Sequence, residues 1–123
     1  MDIFARLAEN GSFVVDNPLL MARVLRNYAA KFFMRKRPLR TVDITNTYAC
    51  NFSCSHCYAT GLEKPEVERS HLNIDQLKEV IDKCVTEGAI HFNIIGGEPT
   101  LGKNLIPIID HIKKRKGIIS MPT

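Results

Sequence analysis

The chain has 123 residues, 45% hydrophobic and 24% charged, and a formal net charge of +4. That is enough apolar material for one modest domain, and it excludes a largely disordered chain. The charge is uneven: Met1 to Arg40 holds eight Lys/Arg against Asp2, Glu9 and Asp16, so the basic character belongs to the first forty residues and the remainder is near neutral.

Asn17 is placed to cap a helix that has Pro18 at its first position, and Met21, Val24, Leu25, Tyr28 and Phe32 recur along one face at helical spacing. The helix is expected to end near Arg37 and Pro38, making residues 1–38 a basic helical segment ahead of a core at 39–123. Its basic end, Lys31, Arg35, Lys36, Arg37 and Arg40, suits anionic lipid or nucleic acid, but a solvated face on a helix packed against the core is the plainer reading. Arg23, Arg26 and Lys31 interrupt the apolar stretch, so it reads as neither a membrane span nor a signal peptide. The expected location is cytoplasmic.

Thr41 to Asn46 then reads as a strand, and the polar run Gly61 to Ser70 as an exposed connection. Asn73 with Gln76 three residues later resembles a capping pair, Ile74, Leu77, Val80, Ile81, Cys84 and Val85 form a buried stripe, and Gly88 ends that helix. Ile90 to Ile95 is a buried strand running into Gly96. Leu105 to Lys116 is a helix burying Leu105, Ile109 and Ile112, with Lys113 to Lys116 at the negative end of its dipole and Gly117 as its stop. Ile118 to Met121 is a third strand. Alternation of this kind predicts an α/β fold with a parallel sheet and function at the carboxyl ends of the strands.

The chemistry is concentrated in one loop after the first strand, where Cys50, Cys54 and Cys57 stand in a CxxxCxxC spacing. Three thiolates so close can hold three irons of a 4Fe-4S cluster and leave the fourth open to a reacting ligand. Two alternatives stand beside this. One is a structural zinc site completed by His56 or His71, which lacks the usual second ligand pair; the other is a redox pair of Cys54 and Cys57, which a long polar connection before the helix disfavours. Tyr48, Asn51, Phe52 and Tyr58 surround the loop, and the aromatics are expected to keep water from it. Cys84 sits on an apolar stripe, 27 residues from Cys57, and reads as core. His91 reads as a packed strand residue, and His71 and His111 as surface residues. No secretory signal accompanies the cysteines, so disulfides are not expected.

The run CNFSCSHC from Cys50 to Cys57, followed about 40 residues on by GGEP from Gly96 to Pro99, resembles the radical S-adenosylmethionine (radical SAM) superfamily. The paired motifs, each after a strand, are more specific than either alone. The resemblance covers roughly Leu39 to Thr123 and implies the amino-terminal part of a partial (β/α) barrel. It further implies that Cys50, Cys54 and Cys57 ligate the cluster, while S-adenosylmethionine chelates the fourth iron and is cleaved to methionine and a 5'-deoxyadenosyl radical that abstracts hydrogen from a substrate. His56 occupies the slot in which the family usually has an aromatic ring near the adenine. Gly96, Gly97 and Glu98 would pass their backbone close to the methionine ammonium group. An enzyme of this kind, an oxidoreductase in the broad sense, needs a reducing partner such as flavodoxin or ferredoxin.

The family barrel has about six strand-helix units, and the sequence reaches the third strand. The expectation is therefore a truncated core, completed by a further carboxyl-terminal part or a second chain, or else a non-catalytic iron-sulfur module that keeps the cluster without turnover. A zinc-dependent nucleic-acid-binding protein using the basic leader is the third possibility.

Overall fold

The computed structural model describes residues 17–57 and 72–123. It divides into two compact units, Met1–Pro38 and Leu39–Thr123, which are described separately. The expected exposed connection Gly61 to Ser70, together with Tyr58 and His71, lies outside the described residues.

In the first unit, helix α1 spans Pro18–Phe33. Asn17 caps it as the sequence predicts: its side chain accepts a hydrogen bond from the Leu20 N–H at 3.4 Å, and Pro18 opens the first turn, where no intrahelical donor is needed. The helix stops before Arg37 because Arg35 adopts a left-handed φ of 51°, and the Lys36 N–H turns back to the Ala30 carbonyl at 3.0 Å. Its burial is also unexpected. Leu20 and Asn27 are the buried residues, whereas Leu25, Tyr28 and Phe32 of the apolar face are exposed.

The second unit is an α/β layer. Strands β1 (Thr41–Thr47), β2 (His91–Gly96) and β3 (Ile118–Ser120) form a parallel sheet in the order β1-β2-β3, with helix α2 (Ile74–Thr86) between the first two and α3 (Leu105–Lys114) between the last two. Asn73 and Gln76 make the full reciprocal capping box, at 2.8 Å and 3.0 Å. Gly88, with φ 111°, turns the chain out of α2 in a conformation that side chains rarely tolerate. At the end of α3 the non-glycine Lys116 takes the left-handed turn at φ 56°, so the helix closes two residues earlier than predicted.

Alternation along the strands gives the sheet two unlike faces. Ile44, Phe92 and Ile94 point to one face and pack with Ile81, Ala89, Leu105, Ile108 and Ile112 to form the core, with Val42, Ile119 and Cys84 at its margin. Phe92, Ile94, Ile108 and Ile112 are fully buried, and each such side chain contributes about 1.5–3 kcal/mol through desolvation. Cys84 thus keeps its expected packing role. The other face is polar. Asp43 lies opposite Asn93, which donates to its carboxylate at 2.8 Å, and His91 Nε2 pairs with Ser120 Oγ at 2.7 Å.

His111 is not the simple surface residue expected. Its Nε2 lies 2.8 Å from Asp82 Oδ1 on α2, and Arg115 grips the same carboxylate from Nε and its terminal nitrogen at 2.7 and 2.6 Å, joining the two helices on the outer layer.

Candidate metal centre

The carboxyl ends of β1 and β2 are adjacent in the parallel sheet, and the loops that follow them are stitched together by backbone. The Gly97 N–H donates to the Thr47 carbonyl at 2.8 Å, and the Glu98 N–H to the Ala49 carbonyl at 2.9 Å. The Ala49 N–H in turn donates to Thr47 Oγ1 at 3.1 Å. Register shifts between Thr45 and Thr47, so Asn46 is the extra residue of a bulge. Bulges bend a strand and re-aim its side chains. Here the Asn46 amide donates to the Pro99 carbonyl at 2.9 Å, tying the end of β1 to the single 3-10 turn Pro99–Leu101.

This stitching explains the paired glycines. A Cβ on Gly96 would run into the Thr47 carbonyl oxygen, and one on Gly97 would lie 2.5 Å from the Ala49 oxygen, 2.7 Å from the Tyr48 oxygen and 2.8 Å from the Cys50 Cβ. Those neighbours are backbone or the base of a side chain and have little room to yield. The space that the missing side chains leave is therefore filled by the end of β1 and the start of the cysteine loop. Glu98 is 6% exposed, and its Oε1 accepts from the Thr100 N–H at 3.2 Å and the Thr100 hydroxyl at 2.7 Å. The carboxylate caps the 3-10 turn.

Cys50, Cys54 and Cys57 are all free thiols carried on this one loop; Cys50 and Cys57 are half-buried and Cys54 is exposed. The Phe52 N–H donates to Cys50 Sγ at 3.4 Å, and the Cys57 N–H to the Cys54 carbonyl at 3.3 Å. Among the described residues no three His, Cys, Asp or Glu side chains are already gathered as a metal-ligand set. The donor chemistry nevertheless fits an iron-sulfur cluster. From Tyr48 to Cys57 the loop offers three soft sulfur donors and no carboxylate, which selects against hard cations, and an amide already donates to one sulfur, a contact that tunes cluster potentials. His56 is exposed on the same loop, and so is Phe52, at 61%.

Asn46 is the residue that reading the sequence missed. An asparagine at a strand end gives no signal that it bulges or reaches a turn 53 residues on.

A parallel α/β layer with a three-thiol loop after its first strand, pinned by a glycine pair after its second, defines the class. The chain belongs to the radical SAM superfamily, whose family profile matches residues 44–122. Among curated proteins it is similar to GTP 3',8-cyclase of Mannheimia succiniciproducens, 32% identical over 72 residues that make up 58% of this chain and 21% of that protein. It is likewise similar to GTP 3',8-cyclase of Haemophilus ducreyi, 33% identical over 83 residues, 68% of this chain and 24% of that protein. The chain thus spans about a quarter of the length of the curated relatives it matches. No solved structure matches it. Among the described residues, no helix is long and apolar enough to cross a membrane.

Proposed function

We propose that Cys50, Cys54 and Cys57 bind a 4Fe-4S cluster, that S-adenosylmethionine binds beside it against Gly96, Gly97 and Glu98, and that the protein of which this chain is a part performs radical chemistry on a substrate. When bound, the cluster and S-adenosylmethionine supply a one-electron cleavage that yields a 5'-deoxyadenosyl radical able to abstract hydrogen. Cys50 anchors the loop, since its base packs against Gly97, while Cys54 and Cys57 are joined by a turn of their own and would close on Cys50 when the cluster binds. Backbone pairing of residues 97 and 98 with 47 and 49 holds the start of the cysteine loop beside the glycine loop, which supports a ligand shared between them. His56, exposed on the same loop, would lie along the adenine ring in this reading. The polar sheet face, with Asp43 paired to Asn93 and His91 to Ser120, offers hydrogen bonds to a substrate. A flavodoxin- or ferredoxin-type reductant in the cytoplasm suits this chemistry.

The observation that carries this reading is the three-thiol loop held by backbone to the Gly96–Gly97 pair. The names of the relatives make GTP the first substrate to test. The deciding experiment is electron paramagnetic resonance of anaerobically reconstituted, dithionite-reduced protein with and without S-adenosylmethionine, together with assay of 5'-deoxyadenosine. A 4Fe-4S signal that shifts on adding S-adenosylmethionine, and that Cys54→Ala abolishes, is the expected result. A cluster signal unmoved by S-adenosylmethionine would reduce the chain to an iron-sulfur-binding module, and a full cluster in Cys54→Ala would sink the ligand assignment.

A further inference from the structure

Helix α1 has its apolar surface on the outside. With about 100° of rotation per residue, Tyr28, Met21, Phe32, Leu25, Ala29 and Phe33 fall in that order on one arc of about 140°, and no charged residue of the helix lies within it. The buried residues, Leu20 and Asn27, lie on the opposite side. Phe32 is 71% exposed and Phe33 88%, and Met34, immediately after the helix, is exposed as well. A globular surface helix places its apolar stripe inward, and a contiguous apolar patch left outside marks an interaction surface.

The charge around that patch indicates what covers it. From Asn17 to Pro38 there are six basic residues, Arg23, Arg26, Lys31, Arg35, Lys36 and Arg37, and no acidic one. Four of them cluster at the end where Phe32, Phe33 and Met34 project, and the Lys31 Nζ lies 6.0 Å from the centre of the Phe32 ring, its cation beside the apolar surface. Tyr28 and Phe32 are stacked at 6.4 Å, giving a broad, stiff aromatic surface.

We infer that α1 and the basic turn after it dock on an anionic phospholipid surface, with the arc of Leu25, Tyr28, Phe32 and Phe33 entering the headgroup and acyl boundary and Lys31, Lys36 and Arg37 meeting lipid phosphates. This division of an interfacial helix into an apolar insertion face and a cationic end is what such surfaces reward. A second copy of the chain would bring six like charges onto six, which disfavours pairing through this face. A nucleic acid accounts for the cations but leaves Leu25 and Met34 in water.

The test is co-sedimentation of the intact chain with vesicles of phosphatidylcholine alone and of phosphatidylcholine mixed with phosphatidylglycerol. The expected result is binding to the mixed vesicles that weakens in high salt. K36Q/R37Q, which leaves the left-handed Arg35 in place, should lower the partition coefficient about tenfold or more. F32Q/F33Q should abolish binding with helical circular dichroism retained, because both side chains are exposed and glutamine keeps good helix propensity. Equal binding to both vesicle types would overturn the proposal. So would no vesicle binding accompanied by dimerisation or by salt-sensitive association with RNA, or mixed-vesicle binding that survives F32Q/F33Q.

Discussion

Cys50 and Gly97 are in such close contact that a methyl group on residue 97 would lie 2.8 Å from the Cys50 Cβ, with the Ala49 and Tyr48 carbonyl oxygens as close on its other sides. The first cysteine and the glycine pair are thus one packing unit, although 47 residues separate them in the chain.

Gly97→Ala should therefore act on the cysteine loop rather than on the glycine loop alone. Overpacking of this kind costs about 1–3 kcal/mol, and the residue free to move is Cys50 with its exposed loop. The expected outcome is a lowered melting temperature and less than half the wild-type iron per chain after reconstitution. Full iron content in a stable Gly97→Ala protein would show that the contact does not position the thiol.

Glu98 has a structural role that can be separated from any role with a cofactor. Glu98→Ala leaves the Thr100 amide and hydroxyl without their acceptor and should cost about 1–3 kcal/mol. Glu98→Gln keeps an acceptor oxygen and should cost less than about 1 kcal/mol. Thermal unfolding of the two variants beside calorimetric titration with S-adenosylmethionine resolves the roles: if Glu98→Gln keeps its melting temperature yet loses affinity, the carboxylate charge serves the ligand.

Local signals in the sequence carried much of this far. The capping pair Asn73 and Gln76, the stop at Gly88, and Asn17 with Pro18 are read from neighbours within four residues, and the structure places each helix start of the second unit accordingly; of the predicted stripes, Val80 proves exposed, and Ile108, fully buried, was not among them. The three strands were legible because Ile44, Phe92 and Ile94 sit in runs bounded by turn residues. What was not legible depends on partners distant in sequence. Asn46 bulges to reach Pro99, Asp82 draws His111 and Arg115 across from another helix, and the α1 stripe faces outward, a fact that periodicity cannot reveal because it gives a face but not its surroundings. The glycine pair was recognised, but its contact with Ala49 and Cys50 was not, because that close approach exists only once β1 and β2 pair.

The Asp82 cluster gives stability a defined dependence on pH. Partial burial pushes the Asp82 carboxyl up, but hydrogen bonds from Arg115 and then His111, with the charges of both, outweigh it and hold the carboxyl below its usual range. A carboxyl depressed in the folded state adds stability that is fully present above the ordinary value of about 4 and is lost as pH falls through the lower folded-state value. The side chain is over a third exposed, so solvent limits the effect to about 1 kcal/mol or less. In denaturant melts, Asp82→Asn should be less stable than wild type at about pH 5, with the gap closing below about pH 4. A gap that widens on acidification would show that Asp82 is not the group responsible.

Loading with iron should order the cysteine loop selectively. The loop from Cys50 to Cys57 is held at its start, by Gly97 and the β1 end, while Cys54 is exposed and the Cys57 N–H donates to its carbonyl at 3.3 Å. Metal binding is coupled to the ordering of its ligands, so the free energy of binding should appear as protection of this segment. Hydrogen exchange of anaerobically reconstituted protein should slow at Phe52 and Cys57 by about tenfold or more, with β2 amides such as Phe92 and Ile94 unchanged because the core already protects them. Chelation should restore the original rates. Uniform slowing across the sheet would mean that the cluster stabilises the whole unit, and that the loop was as firmly held as the strands before iron bound.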